Sequence, residues 1–207
     1  MKKTFLSLLL LGSVASAGFA QGIQLGVKAG ANLSRYTGDG KTNIEAVTQT
    51  GMKMLVGFHG GVTLNAPLSS DGFFSLQPEL LYSQRGYRLE EGTNKLTVRH
   101  HFIDLPVLAR INADGLIFEV GPQLGYLIGT KNTFENTTAG NGDDYFDGDH
   151  QFSVGYIAGV GYQVASGPSV GIRYNGSISG VYRNIVEDKK TRHSLFQLYV
   201  GYTFGGR

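Results

Sequence analysis

Apolar and polar residues alternate with period two through most of the chain, the pattern of β-strands whose two faces meet different surroundings. From Ile23 to Ser34, the odd positions carry apolar residues and the even positions carry glycine or polar residues. Seven later segments repeat this alternation. We therefore predict eight strands, at residues 23–37, 54–66, 73–87, 96–111, 116–130, 151–164, 169–182 and 193–204.

Eight strands of this length fit a soluble sandwich, a lipocalin-like cup or a transmembrane barrel, and the less apolar face distinguishes these folds. That face consists mostly of glycine, serine, asparagine, glutamine and charges of both signs. A soluble sandwich would need solvent-facing lysines and glutamates, which are nearly absent there. Such residues suit a narrow barrel interior, where glycine leaves room for long side chains to pair. The pattern predicts an all-β, eight-stranded antiparallel up-and-down transmembrane β-barrel with its aliphatic face against lipid.

Short and long connections alternate between the predicted strands, as in outer-membrane barrels with short periplasmic turns and long external loops. The short ones are rich in turn-forming residues and lie at 67–72, 112–115 and 165–168. The long ones lie at about 38–53, 88–95, 131–150 and 183–192. Lipid-facing aromatic residues form two predicted girdles, Tyr82, Tyr126, Phe152, Tyr182 and Phe196 near the long loops and Phe74, Phe118, Tyr162, Tyr202 and Phe204 near the short turns.

The N-terminal segment has the three-part arrangement of a secretory signal peptide. Two lysines precede an apolar run at residues 5–11, and small residues follow. The run is too short for the roughly 20 residues of a spanning helix. We expect cleavage after Ala20, with Ala17 as the alternative, so that residues 1–20 are a signal peptide and 21–207 a single barrel domain.

Composition excludes several functions. The chain has no cysteine, which excludes disulfides, thiolate metal sites and thiol nucleophiles. Its formal net charge of +2 comes from Lys2 and Lys3, so the exported part is neutral and offers no basic surface for nucleic acid. Only 16% of residues are charged while 31 of 207 are glycine, which is unusual for a cytoplasmic enzyme.

Seven charged residues fall on the inward face of the predicted strands. They are Lys28, Glu79, Arg85, Asp104, Arg110, Glu119 and Arg173. Because unpaired charges are costly in a closed lumen, we expect a structural ion-pair network that ties the strands together. Side chains can fill an eight-stranded barrel, so a wide channel is not expected. A gated polar path for a small ion or solute is the alternative interpretation.

The chain offers few candidates for catalysis or metal binding. His193 and Ser194 are adjacent on a predicted strand, so their side chains should point to opposite faces and cannot form a base–nucleophile pair. Four aspartates lie within residues 140–150, but Tyr145 occupies a position where the calcium loop of an EF-hand needs an oxygen ligand. We predict a solvated acidic loop there. Two hypotheses for this loop are attraction to the basic loop at 183–192 across the mouth of the barrel and divalent-ion bridging to lipopolysaccharide phosphates. We expect no enzyme activity, no catalytic, cofactor-binding or metal-ligating residue, and no cofactor.

Five stretches of the chain carry a family resemblance. They are LQPELLYSQRGY (76–87), FIDLPVLARI (102–111), EVGPQLGYLIG (119–129), VGIRYN (170–175) and LYVGYTF (198–204). Together they resemble the PorT-like outer-membrane β-barrel family, whose characteristic residues correspond to Glu79, Asp104, Arg110 and the terminal aromatic Phe204. The resemblance implies an envelope protein whose last strand, with Phe204 as assembly signal, is recognised by the barrel-assembly machinery. Periplasmic chaperones would act during the same biogenesis.

The sequence therefore predicts an integral protein of the cell outer membrane with a structural or surface-interaction role. A small-solute pore, or a component of a transport or secretion system, is the alternative. We expect a monomer whose partners are outer-membrane lipid and lipopolysaccharide.

Overall fold

The structure is a computed structural model and describes residues 22–37, 51–135, 142–144, 152–179 and 192–205. Its strands are β1 (Gln24–Thr37), β2 (Met52–Pro67), β3 (Phe74–Glu91), β4 (Asn94–Ala113), β5 (Leu116–Glu135), β6 (Gly142–Asp144), β7 (Phe152–Gln163), β8 (Pro168–Ser177) and β9 (Arg192–Thr203). Among the described residues, no helix is long and apolar enough to cross a membrane. The predicted signal peptide, its cleavage site, Tyr182 and most of the predicted loops 38–53, 131–150 and 183–192 lie outside the described residues.

The eight long strands close into a ring in which every neighbouring pair is antiparallel. The order is β1-β2-β3-β4-β5-β7-β8-β9, and β9 pairs back with β1, while β6 pairs with the end of β5. Following paired residues around the ring from Ala66 on β2 leads back to β2 at Val56, ten residues away. Such a stagger is the shear that tilted strands need in order to close. The predicted eight-stranded antiparallel barrel is confirmed.

The two-residue period separates a lipid-facing surface from a filled interior. On β5, Phe118 and Val120 are 48% and 58% exposed, whereas Ile117 and Glu119 are at most 3% exposed. The outward apolar positions at 116–128 extend about 40 Å along the strand, or about 30 Å in height at a tilt of roughly 40°. This height is comparable to the apolar band of about 25 Å on outer-membrane barrels. The bulky face is therefore outside, as the alternation predicts.

The turn between β4 and β5 consists of two residues, Asp114 and Gly115. Both have positive φ, 50° and 97°. An Asp-Gly pair in this conformation forms the mirror-image turn whose twist matches that of the flanking strands. The predicted short turn at 112–115 thus narrows to these two residues.

β3 and β4 continue farther from the membrane than the sequence analysis predicts. Glu91 pairs with Asn94, so only Gly92 and Thr93 connect the two strands. Gly92 adopts a φ of 59°, which its missing side chain permits. The expected long loop at 88–95 is therefore wrong, because a tight hairpin occupies this segment.

A small apolar cluster explains this extension. Tyr87 and Val98 are buried together, and Met52, Leu89 and Leu96 pack against them. The charged residues at the intervening positions look like loop residues in the sequence. In the structure they form the outer face of strands that bury the apolar residues on the other face.

Candidate functional site in the barrel interior

All seven predicted inward charges lie inside the barrel, and each is at most 6% exposed. They come from β1, β3, β4, β5 and β8. Four of them, Lys28, Glu79, Glu119 and Arg173, form what we term the central cluster. Arg85 and Asp104 form a separate pair, the upper pair, nearer the end of the barrel from which the extended β3–β4 hairpin projects.

Arg173 is the centre of the central cluster. Its two terminal nitrogens donate to the two carboxylate oxygens of Glu79, each at 2.8 Å. Arg173 Nη2 and Nε both donate to Glu119, the former to Oε2 at 2.8 Å. Lys28 Nζ lies 2.7 Å from Glu79 Oε1. Two cations and two carboxylates therefore balance, and they connect β1, β3, β5 and β8 across the lumen.

Tyr199 on β9 packs against the cations of the central cluster. Its ring centroid is 4.2 Å from Lys28 Nζ and 4.8 Å from Arg173 Cζ, which are cation–π distances. Sequence reasoning missed this residue because, among the aromatic residues of the last strand, it considered only the lipid-facing Phe196, Tyr202 and Phe204. The available signal was that Tyr199 is one residue out of phase with those lipid-facing positions.

Inward glycines make the room that the charged side chains occupy. A Cβ atom at Gly159 would lie 2.8 Å from Arg173 Cγ and 3.0 Å from Glu119 Oε1. A Cβ atom at Gly125 would lie 2.7 Å from Asp104 Oδ1. Larger residues at these positions would displace the ion pairs, so the high glycine content and the buried charges are parts of one packing arrangement.

Arg110 is attached to the central cluster through amides and not through a carboxylate. Its Nη1 donates to Gln77 Oε1 at 2.7 Å, and its Nη2 donates to Gln163 Oε1 at 2.6 Å. Gln77 Nε2 in turn donates to Glu79 Oε1 at 2.6 Å. Among the described residues, Arg110 makes no ion pair, so six of the seven predicted members pair directly. That these contacts stabilise the barrel stays a prediction.

Aromatic rings pack around the upper pair. Arg85 Nη2 donates to Asp104 Oδ2, and the guanidinium carbon lies 4.6 Å from the centroid of the Phe102 ring. The rings of His100 and His193 meet edge to face with centroids 5.9 Å apart. These rings shield the upper pair from solvent.

A further group of neutral polar side chains is centred on Asn32. Its Nδ2 donates to Ser83 Oγ at 3.1 Å, and its Oδ1 accepts from Gln197 Nε2 at 3.0 Å. His59 Nδ1 lies 2.7 Å from the same Oδ1 atom. Sequence reasoning did not select these residues, because uncharged polar residues occupy too many inward positions to single out a contacting set.

In the part of the lumen that the described residues line, an open space lies at the end that carries the short turns. A polar cavity of about 260 Å³ lies beside the turn at residues 67–72 and is lined by Gln163 and Arg110 among others. Arg110 also borders a void of about 10 Å³ next to Lys28. A void of that size holds about one water molecule. Beyond it, the side chains of the central cluster and Tyr199 occupy the lumen.

The histidine–serine neighbours on β9 point apart, in agreement with strand periodicity. Ser194 Oγ donates to the hydroxyl of Tyr174 at 3.3 Å, whereas the His193 ring contacts His100 and Phe102. Within the described ranges, no three His, Asp or Glu side chains group into a candidate metal site. The described polar groups of the barrel interior are therefore paired charges, the amide-bonded Arg110 and neutral side chains.

Comparison with known proteins places this fold. Residues 19–183 match the family model described as outer membrane protein beta-barrel domain. No curated protein matches the chain. The crystal structure of Neisserial surface protein A (NspA) is similar, with a TM-score of 0.51 and 14% identity over 87% of this chain and 97% of that chain. The crystal structure of Ail, the attachment invasion locus protein of Yersinia pestis, gives a TM-score of 0.48 and 14% identity over 87% and 98% of the two chains.

At 14% identity the likeness to NspA concerns the fold alone. The family model is the stronger finding, because it extends over most of the described strands, from residue 19 to residue 183. The closed ring and its apolar outer surface agree with it. The chain therefore belongs to the outer membrane protein beta-barrel domain family and is an integral protein of the outer membrane.

Proposed function

We propose that this protein is a closed barrel with a structural or surface-interaction role, and that it neither conducts ions nor catalyses a reaction. The central cluster is the observation that carries this proposal. It joins four strands across the lumen, and its side chains satisfy one another's charges. A lumen filled by mutually paired charges offers no ring of one sign for a passing ion.

The energetics also favour a closed state. An ion crossing the centre of the barrel would have to displace Arg173, which makes four hydrogen bonds to Glu79 and Glu119. Hydrogen bonds between charged groups are worth about 1.5–3 kcal/mol each. Opening therefore requires breaking several strong contacts at once, and nothing in the described interior replaces them.

Planar-bilayer recording tests this proposal. The refolded protein should insert without conductance steps, and insertion is checked by the mobility shift between unheated and boiled samples on a gel. Arg173→Ala is the informative variant, because it removes the centre of the central cluster. Lys95→Gln is the control, because Lys95 lies on the exposed hairpin. Steady conductance steps from the unmodified protein would overturn the proposal.

A small-solute pore is the second candidate function. It is favoured by the cavity of about 260 Å³ at one end of the lumen, which is polar and borders Arg110. A pore predicts conductance from the unmodified protein in the same recordings, and a transport or secretion component predicts conductance once a partner is added. The closed barrel and the small-solute pore therefore make opposite predictions for the unmodified protein alone.

We also propose that the protein belongs to the narrower PorT-like family. Three residues characteristic of that family, Glu79, Asp104 and Arg110, are buried in the lumen, which supports a shared interior. The fourth, Phe204, directly follows β9. Its backbone nitrogen donates to Leu25 O at 2.7 Å, beside the pairing of β1 with β9 that closes the barrel. This position is compatible with an assembly signal for the barrel-assembly machinery.

The route to the membrane and the partners there complete the proposal. A signal peptide cleaved near Ala20 would direct export, and periplasmic chaperones would deliver the chain for assembly. In the membrane we propose a monomer that contacts lipid through its apolar surface and lipopolysaccharide through its outer end. The apolar surface supports the lipid contact, because large apolar side chains are exposed around the barrel.

A further inference from the structure

The polar cavity at the short-turn end of the barrel, which we term the turn-end pocket, has a single cation in its wall. Its volume is about 260 Å³, and Arg110 is the only lysine or arginine among the described residues that line it. Serine, asparagine and glutamine side chains form most of the remaining wall, and Asp71 is the one carboxylate. A solute that enters this pocket therefore meets hydroxyls, amides and one guanidinium group.

The buried charges of the described interior do not sum to zero. Seven charged side chains are buried there, four cations and three carboxylates, so one positive charge is in excess. Every one of the carboxylates already bonds to another cation, in the central cluster or in the upper pair. Arg110 is the cation that is left over, and it is only 5% exposed.

The acidic residues around Arg110 do not compensate its charge. Glu119 is its acidic register partner, but both oxygens of Glu119 accept hydrogen bonds from Arg173. Asp71 lines the same pocket, but it is exposed, and its Oδ1 accepts from a backbone nitrogen of its own turn at 2.9 Å. Because water screens an exposed carboxylate, Asp71 offsets a buried cation only weakly.

The guanidinium group of Arg110 is fixed in place and has unused donors. It carries five N–H donors, and its hydrogen bonds to Gln77 and Gln163 use two of them. Its Nε has no partner among the described residues. Both glutamines donate through their own nitrogens to other acceptors, so their oxygens stay turned toward Arg110. The group is thus positioned before a ligand arrives, which reduces the entropic cost of binding.

Water satisfies hydrogen bonds at this position but not the charge. The void of about 10 Å³ beside Arg110 and Lys28 holds about one water molecule, which is neutral. A buried charge without an opposite charge is costly even when it is hydrogen-bonded. An anion in the turn-end pocket removes this cost, whereas water leaves it in place.

We propose that the turn-end pocket binds a small carboxylate and that Arg110 holds its charge. One excess positive charge matches a monoanion, whereas a phosphate monoester carries about −1.5 to −2 at neutral pH. A guanidinium fork matches the two oxygens of a carboxylate. The pocket is smaller than the roughly 300–1,000 Å³ of pockets for drug-sized ligands, so the ligand has few heavy atoms. The inference goes beyond the proposed function, because a closed barrel binds a solute at its mouth without passing it.

An NMR titration of the isotope-labelled protein, refolded in a non-ionic detergent, tests the proposal with acetate as the probe. At constant ionic strength and neutral pH, acetate should shift the backbone amide signals of Ser75 and Asn112, which line the pocket, until they saturate. Acetamide has nearly the same shape but no charge, and it should leave these signals unchanged.

Three variants locate the binding. Arg110→Gln should bind acetate about tenfold or more weakly, because it removes the positive charge. Asn65→Asp adds a negative charge to the wall of the pocket without removing a contact of Arg110, and it should weaken acetate binding by a similar factor. Asn94→Asp is the matched control, because it makes the same change on the exposed hairpin at the other end of the barrel, and it should keep the affinity.

Signal shifts that do not saturate, equal binding of acetate and acetamide, or unchanged affinity in either pocket variant would overturn the proposal. Tighter binding of inorganic phosphate than of acetate would overturn the assignment to carboxylates. The gel mobility shift shows whether each variant is folded, and if Arg110→Gln does not fold, Asn65→Asp decides. A protein that is silent in bilayers and fails to bind acetate contradicts this inference alone. A conducting protein that binds acetate contradicts the closed-barrel proposal alone.

Discussion

Replacement of Glu79 by glutamine is the sharpest test of the central cluster as a structural element. Glu79 is 3% exposed and accepts from Lys28, Arg173 and Gln77. Glu79→Gln preserves the shape of the side chain but leaves Lys28 without its carboxylate partner and Arg173 with Glu119 alone. Removing one member of a buried ion pair costs about 3–5 kcal/mol, because the remaining charge is left buried without compensation.

Two further variants separate this effect from general damage. Glu135→Gln breaks an ion pair in which Lys95 and Glu135 are 41% and 52% exposed, so it should cost only about 0–1 kcal/mol. Adding Lys28→Met to Glu79→Gln should recover part of the loss, because it removes the unpaired cation.

Unfolding in denaturant, with the barrel refolded into lipid vesicles, measures these free energies. The chain has no tryptophan, so circular dichroism or the gel mobility shift is the appropriate signal. If Glu79→Gln and Glu135→Gln lower the free energy of unfolding by the same amount, the central cluster contributes no more than a surface ion pair. That result would refute the reasoning.

Two other changes probe how the interior is packed. Gly171→Ala should destabilise the barrel by about 1–3 kcal/mol, because the new Cβ atom would lie 2.6 Å from the Tyr199 ring. Gly60→Ala should be tolerated, because its new Cβ atom would lie 3.5 Å from the nearest atom. Equal unfolding midpoints for these two variants would contradict this prediction. Arg110→Gln should lower the free energy of unfolding by less than Arg173→Gln does, because Arg110 bonds to neutral amides and Arg173 bonds to two carboxylates. Equal or reversed losses in the same unfolding assay would contradict this order.

The sequence predicts the barrel well because this fold depends mainly on which face of its strand each residue occupies, and that face alternates with a period of two. Alternation alone identifies Lys28, Glu79 and Arg173 as inward residues, and all three are buried. It does not determine partners, because these depend on the shear of the ring and on tilts that no local pattern encodes. Arg110 therefore pairs with amides although Glu119 is its register neighbour.

The extended hairpin illustrates a second limit. Residues 88–95 combine charges, glycine and asparagine, a composition that usually indicates a loop. The strands persist because Tyr87 and Val98 bury each other on one face while the charges occupy the other.

The buried charges also constrain which arrangement of the strands is possible. A shift of one residue in a strand exchanges its two faces, so it would place charged side chains such as Arg173 against lipid and apolar ones in the lumen. A lysine or arginine on the lipid face costs about 2–4 kcal/mol at the bilayer midplane. If the interior were lined by small apolar residues, the same shift would cost far less. The ion pairs of the central cluster therefore disfavour barrels with inverted faces or shifted registers. This effect remains even if replacing the whole cluster by apolar residues leaves the stability of the correct barrel unchanged.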